Sequence, residues 1–139
     1  MRNVQDRYVI ITTDTVIKFE EKRSIARFHN PERRQYKRIQ VDGCVLTGGI
    51  KCDYLLCSMD EREERYVELK GSDIPHAIDQ IRETIIRHGE HSDNRHSYIV
   101  CTKVLPQIST KIQKAKKEFR DRFHSSLTIK VTPLDERLY

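Results

Sequence analysis

Two carboxylates and an ammonium group fall at a spacing that a β-hairpin brings together: Asp53, then Glu68 and Lys70. In an extended strand successive side chains point to opposite faces, so in Arg65-Tyr66-Val67-Glu68-Leu69-Lys70 the residues Glu68 and Lys70 share one face and Val67 and Leu69 the other. A turn centred on Glu61 sets Asp53 opposite residues 68 to 70, since 53 and 69 are both eight residues from 61. Asp53 also interrupts an apolar run, Cys52-Asp53-Tyr54-Leu55-Leu56-Cys57, where aspartate has poor strand propensity and an unpaired buried charge is costly. Lys70 alone offers one compensation, a cross-strand ion pair. Two convergent carboxylates with a backbone carbonyl nearby offer another, a hard oxygen site of the kind that Mg²⁺ or Mn²⁺ occupies.

The elements that must hold these groups follow from the hydrophobic periods. The β-branched run from Tyr8 to Thr12 predicts a strand, and Asp14 is expected to cap a helix carrying Val16, Ile17 and Phe19, which Asn30-Pro31 breaks. A strand is expected from Ile39 to Leu46, a Gly48-Gly49 turn after it, and a second strand from Ile50 to Cys57. The polar stretch from Ser58 to Glu64 turns the chain into a third strand, Arg65 to Lys70, completing an antiparallel meander. Ser72 or Asp73 then caps a helix with Pro75 in its first turn and Ile74, Ala77, Ile78, Ile81 and Ile85 on one face. Beyond a polar loop, Gly89 to Arg95, come a strand at 97–101, a helix near 107–123 lined by Ile108, Ile112, Ala115 and Phe119, and a last strand at 126–131. The whole predicts an α/β protein with a mixed sheet and flanking helices, one domain over residues 1–139.

Asp53 followed by Glu68-Leu69-Lys70 on two strands of a hairpin, with a capped helix directly after, resembles the PD-(D/E)XK nuclease superfamily, from Asp42 to Thr84. The resemblance implies a restriction-endonuclease-like core, a mixed central β-sheet flanked by α-helices. It implies a nuclease that hydrolyses nucleic-acid phosphodiesters, DNA in the first place, with Asp53, Glu68 and the Leu69 carbonyl holding Mg²⁺ or Mn²⁺ and Lys70 orienting the attacking water. Some members add a glutamine on the following helix, for which Gln80 stands, and many add an acidic residue on the first helix, for which Glu20 or Glu21 stands. The chain departs from the pattern in two places: Cys52 occupies the position of the name-giving proline, and Thr84 that of a tyrosine following the glutamine. The alternative function is a non-catalytic nucleic-acid-binding or assembly module with a nuclease-like fold.

Composition supports a polyanionic partner. The chain has 26 Lys and Arg against 21 Asp and Glu, a formal charge of +5. Arg33, Arg34, Lys37 and Arg38 precede the hairpin of Asp53 and are the expected phosphate contacts. The basic residues between Lys111 and Arg122 are expected to be the solvated side of an amphipathic helix. His88, His91 and His96 lack the short paired spacings of a structural zinc site and are expected in a surface loop. His76 is expected at the surface of the first helical turn. Cys44, Cys52, Cys57 and Cys101 contain no C-x-x-C pair and are expected as small buried residues. No stretch has the length of a membrane span, so no membrane partner and a cytoplasmic location are expected. One site cuts one strand, so a homodimer or a subunit of a larger complex is expected.

Overall fold

The structure, a computed structural model, describes residues 9–21, 23–41, 52–69, 72–89, 94–104 and 108–138. In chain order the elements are β1 (Val9–Thr12), β2 (Val16–Glu21), β3 (Ser24–His29), β4 (Tyr36–Gln40), β5 (Tyr54–Ser58), β6 (Glu63–Leu69), α1 (Ile74–His88), β7 (Asn94–Cys101), α2 (Ser109–Phe123), β8 (Ser125–Val131) and β9 (Leu134–Arg137). Six strands form one sheet in the order β1-β4-β5-β6-β7-β8, and β2-β3-β9 form a second. The large sheet is mixed. β1, β4, β5 and β6 pair antiparallel in succession, whereas β6, β7 and β8 pair parallel, because α1 and α2 supply the long crossovers that parallel neighbours need.

Alternation along the strands divides the interior into two cores. Tyr66, Leu55, Cys57, Ile99 and Leu127 face α1 and α2, where they meet Ile74, Ala77, Ile81 and Phe119. Val67, Leu69, Leu56, Tyr98 and Val100 face the small sheet, where they meet Ile17, Phe19, Ala26, Phe28 and Leu134. Both helices thus cover one face of the large sheet, and the three-stranded sheet covers the other. The expected α/β class with a mixed sheet is present; among the described residues, helices flank it on one side only.

Three expectations need correction. No helix follows Asp14: Val16–Glu21 is β2, paired with β3 from Val16↔His29 to Glu21↔Ser24. The deciding pattern has period two, with Ile17 and Phe19 buried between exposed Val16, Lys18 and Glu20. Glu20 and Glu21 therefore stand on a strand, not a first helix. The last strand is not β8, since β9 continues beyond Pro133 and pairs parallel with β3. Its sequence, Leu-Asp-Glu-Arg, buries only Leu134 deeply, which leaves little alternation to read. His96 lies inside β7 and His88 is buried at the end of α1, so neither belongs to an exposed loop; His91 lies outside the described residues.

The remaining elements match with small shifts. Asp73 is the N-cap of α1, its carboxylate accepting from His76 N at 3.2 Å, and His76 is exposed as expected. β4 starts three residues before the expected Ile39, and the Gly48-Gly49 turn lies outside the described residues. Cys52, Cys57 and Cys101 are buried and free, while Cys44 lies outside the described residues. No helix among the described residues is long and apolar enough to cross a membrane.

Candidate active site

The β5–β6 hairpin pairs Tyr54 with Val67 and Leu55 with Tyr66, one residue off the register set by a turn centred on Glu61. Its turn is built by Ser58 and Asp60: Ser58 Oγ donates to Asp60 Oδ1 at 2.7 Å and accepts from Glu63 N at 3.1 Å. Glu61 takes a positive φ of 61° there. Continuing the pairing beyond Tyr54 brings Asp53 beside Glu68. The two carboxylates complete the ladder where backbone pairing stops. Asp53 Oδ2 accepts from Leu69 N at 2.8 Å, and Glu68 Oε1 accepts from Asp53 N at 3.1 Å. Each acid is thereby anchored to the other's strand, and each is buried, Asp53 at 7% and Glu68 at 2% exposure. The Asp53 carbonyl accepts from Val41 N at 3.0 Å, tying in the chain just after β4.

Where the strand ends, the chain bends at Asp53 and carries Cys52 onto α1. Cys52 N donates to Thr84 Oγ1 at 2.7 Å, and Thr84 Oγ1 donates in turn to the Gln80 carbonyl at 2.7 Å. The Cys52 backbone and the Thr84 side chain therefore meet each other. A proline at position 52 has no N–H for this bond, and threonine at 84 supplies the acceptor that a buried N–H requires. Burial, opposed by the bond with Thr84 and reinforced by the charges of Glu68 and Asp53, raises the pKa of the Cys52 thiol far enough to keep it neutral. Burial, then Glu21 and Asp53, likewise raises that of the Tyr54 phenol.

The hydrogen bond predicts its own test. Thr84→Val keeps the shape but leaves the buried Cys52 N–H unsatisfied, which costs about 1–3 kcal/mol, while Thr84→Ser keeps the hydroxyl and most of the stability. Thermal unfolding reads the difference, and an unchanged Thr84→Val protein would show that the bond contributes nothing.

The structure brings together some of the sequence-predicted residues and separates others. Asp53, Glu68 and the Leu69 backbone form one cluster, and the Leu69 side chain is buried toward the small sheet. Gln80 lies one turn before Thr84 on α1, on the flank that reaches Cys52. Lys70 lies outside the described residues. The basic segment is dispersed. Tyr36, at the start of β4, is level with Ser58 at the far end of the hairpin, so Arg33 and Arg34, which precede it, lie away from the carboxylates. Arg34 pairs with Glu32 at 3.0 Å and Lys37 approaches Glu61 at 3.9 Å. Arg38 stacks over Phe19 at 4.4 Å and donates to the Lys18 carbonyl at 2.7 Å. Nearness in sequence to the Asp53 hairpin therefore does not gather these four residues around the acids.

Two carboxylates, a backbone carbonyl and water make a donor set that fits Mg²⁺, which keeps several waters and takes only one or two protein carboxylates. Among the described residues no group of three or more His, Cys, Asp or Glu is placed to hold a metal. Compared with family models, curated proteins and solved structures, the chain matches none.

Proposed function

We propose that the chain is a divalent-metal-dependent nuclease, hydrolysing phosphodiester bonds of nucleic acid, DNA in the first place, at the Asp53–Glu68 pair. The observation that carries this reading is the acid pair itself: two buried carboxylates from adjacent strands, each fixed by a backbone N–H of the other strand. A merely solvated strand face has no cause to bury both acids. When bound, Mg²⁺ or Mn²⁺ supplies Lewis acidity at a phosphoryl oxygen. The protein's part is to orient its own donors. The Leu69 N–H fixes Asp53, the Asp53 N–H fixes Glu68, and the Thr84 hydroxyl fixes the bend that presents both. By the resemblance, Lys70 orients water for in-line attack, and Gln80 assists from α1.

Purified protein is expected to cut DNA with Mg²⁺ or Mn²⁺ and to leave it intact with EDTA, read on linear, nicked and branched substrates. If none of these and no RNA is cut, the non-catalytic nucleic-acid-binding module replaces the enzyme.

A further inference from the structure

We propose that the cleft between the C-terminal half of α2 and the starts of β7 and β8 is a phosphate-backbone site for a nucleic-acid strand, separate from the Asp53–Glu68 pair. One wall is a helical stripe, Lys116, Arg120 and His124, spaced at i, i+4 and i+8 and exposed along its length. The other wall is contributed by Asn94, His96 and Ser126. His96 and Ser126 are register partners on the two strands, and the His96 ring bonds Ser126 Oγ at 3.0 Å and Asn94 Oδ1 at 2.7 Å. The cleft encloses about 520 Å³, and no residue of its lining is a carboxylate.

Carboxylates neutralise several of the described arginines, the cleft's own Arg95 among them. Arg27 meets Asp135, Arg82 and Arg122 meet Glu118, and Arg95, at the back of the cleft, meets Glu64. In the cleft Lys116 has no carboxylate partner among the described residues. Arg120 has only its neighbour Asp121 at 3.2 Å, both well exposed, a pairing that water screens strongly. Burial and the nearby Arg65 guanidinium depress the His96 pKa; its ring stands beside Tyr98, on the face of β7 turned away from α2, so the cations of the site are those of the α2 stripe alone. His124 stands in the left-handed conformation at the C-cap, φ 53° and ψ 42°. Glycine would hold that conformation at lower cost; histidine there adds an imidazole to the stripe.

The chemistry suits a chain of phosphates. Arginine forks, a lysine point charge, and Ser and Asn polar groups are the usual partners of backbone oxygens. At 1.5 Å rise per residue the stripe is about 12 Å long, enough to follow more than one phosphate of a strand. On β7 the cleft centres on Arg95, while Glu68 pairs with Ile99. Four residues at 3.3 Å put the two places about 13 Å apart along the strands. A strand held at α2 therefore does not occupy the acid pair. The proposal rests on the nuclease reading only in naming the polyanion, because the binding is measured without cleavage.

The test is fluorescence anisotropy of labelled single-stranded and duplex DNA with the full chain in EDTA, across a salt series. Lys116→Glu with Arg120→Glu is expected to weaken single-strand binding at least tenfold at low salt. It also flattens the slope of log affinity against log salt by about 1.4, for two lost phosphate contacts. Lys111→Glu with Lys114→Glu, equal in net charge but facing the α1–α2 groove, is expected to leave the slope unchanged. Equal effects from the two pairs would overturn the site in favour of general charge. Polyglutamate competing as well as polythymidylate would overturn the nucleic acid in favour of an acidic peptide. Unaltered binding in the Lys116 and Arg120 variant would overturn both. A protein that binds in this way yet cuts nothing with Mg²⁺ loses the enzyme reading and keeps this one.

Discussion

Asp53→Asn and Glu68→Gln are each expected to abolish metal-dependent cleavage, by more than the roughly hundredfold that losing even an outer partner of a metal ligand can cause. The fold should survive both changes. The introduced asparagine retains a carbonyl oxygen for the Leu69 N–H, and the introduced glutamine retains one for the Asp53 N–H, so the cross-strand bonds persist. Removing one of two adjacent buried charges also relieves repulsion, so the melting temperature should hold or rise. Metal affinity, read by calorimetry with Mn²⁺, should fall together with cleavage. Lys70→Ala separates the two: it removes no metal ligand, so Mn²⁺ still binds while turnover falls by about 10²–10⁴-fold for want of an oriented water. An Asp53→Asn protein that keeps its Mn²⁺ affinity and merely melts lower would make the pair a structural ion-pair element and end the metal-site assignment.

The site was legible in the sequence because it depends on short-range rules. Alternation placed Glu68 opposite in face to Val67 and Leu69, and hairpin closure brought Asp53 to it, with a one-residue error absorbed by the tight Ser58–Asp60 turn. The helix after it carried its own cap and stripe. What stayed hidden is non-local. The β2–β3 hairpin buries two apolar residues per strand, and Val16, Ile17 and Phe19 fit a helical face as readily as Ile17 and Phe19 fit a strand. Only packing against Leu56, Val67 and Tyr98 decides between them. β9 draws its pairing from β3, more than a hundred residues away in sequence, and no local pattern encodes that. The Cys52–Thr84 contact was hidden for the same reason. A threonine between Ile81 and Ile85 looks like a neutral helix residue until its acceptor role at the end of β5 is seen. Arg33 and Arg34 are close along the chain to the Asp53 hairpin, yet the direction of β4 sets them at its far end.

The strand that presents Glu68 is held by a second pair of charges, and removing one of them is expected to have the largest effect on stability. Glu64 is fully buried and Arg95 is 9% exposed. Arg95 Nε lies 2.8 Å from Glu64 Oε1, and its NH1 donates to the Phe123 carbonyl at 2.8 Å. Tyr66 Oη donates to the other Glu64 oxygen at 3.1 Å. One guanidinium thus joins β6, β7 and the C-terminus of α2, where a positive charge also suits the helix dipole. The packing around it is close. A Cβ on Gly89 would lie 2.6 Å from the Ile85 carbonyl oxygen and 3.1 Å from the guanidinium. Arg95→Ala leaves Glu64 in the core without its guanidinium and costs about 3–5 kcal/mol, a fall of roughly 10–20 °C in melting temperature for a chain of this size. Arg95→Met combined with Glu64→Leu removes both charges while keeping volume, so the double variant is expected to be more stable than Arg95→Ala. Calorimetry of wild type, the two single changes to Met and Leu, and the double variant gives the coupling directly. A melting temperature for Arg95→Ala within a few degrees of wild type would show that Glu64 has found another partner and that the pair does not hold β6.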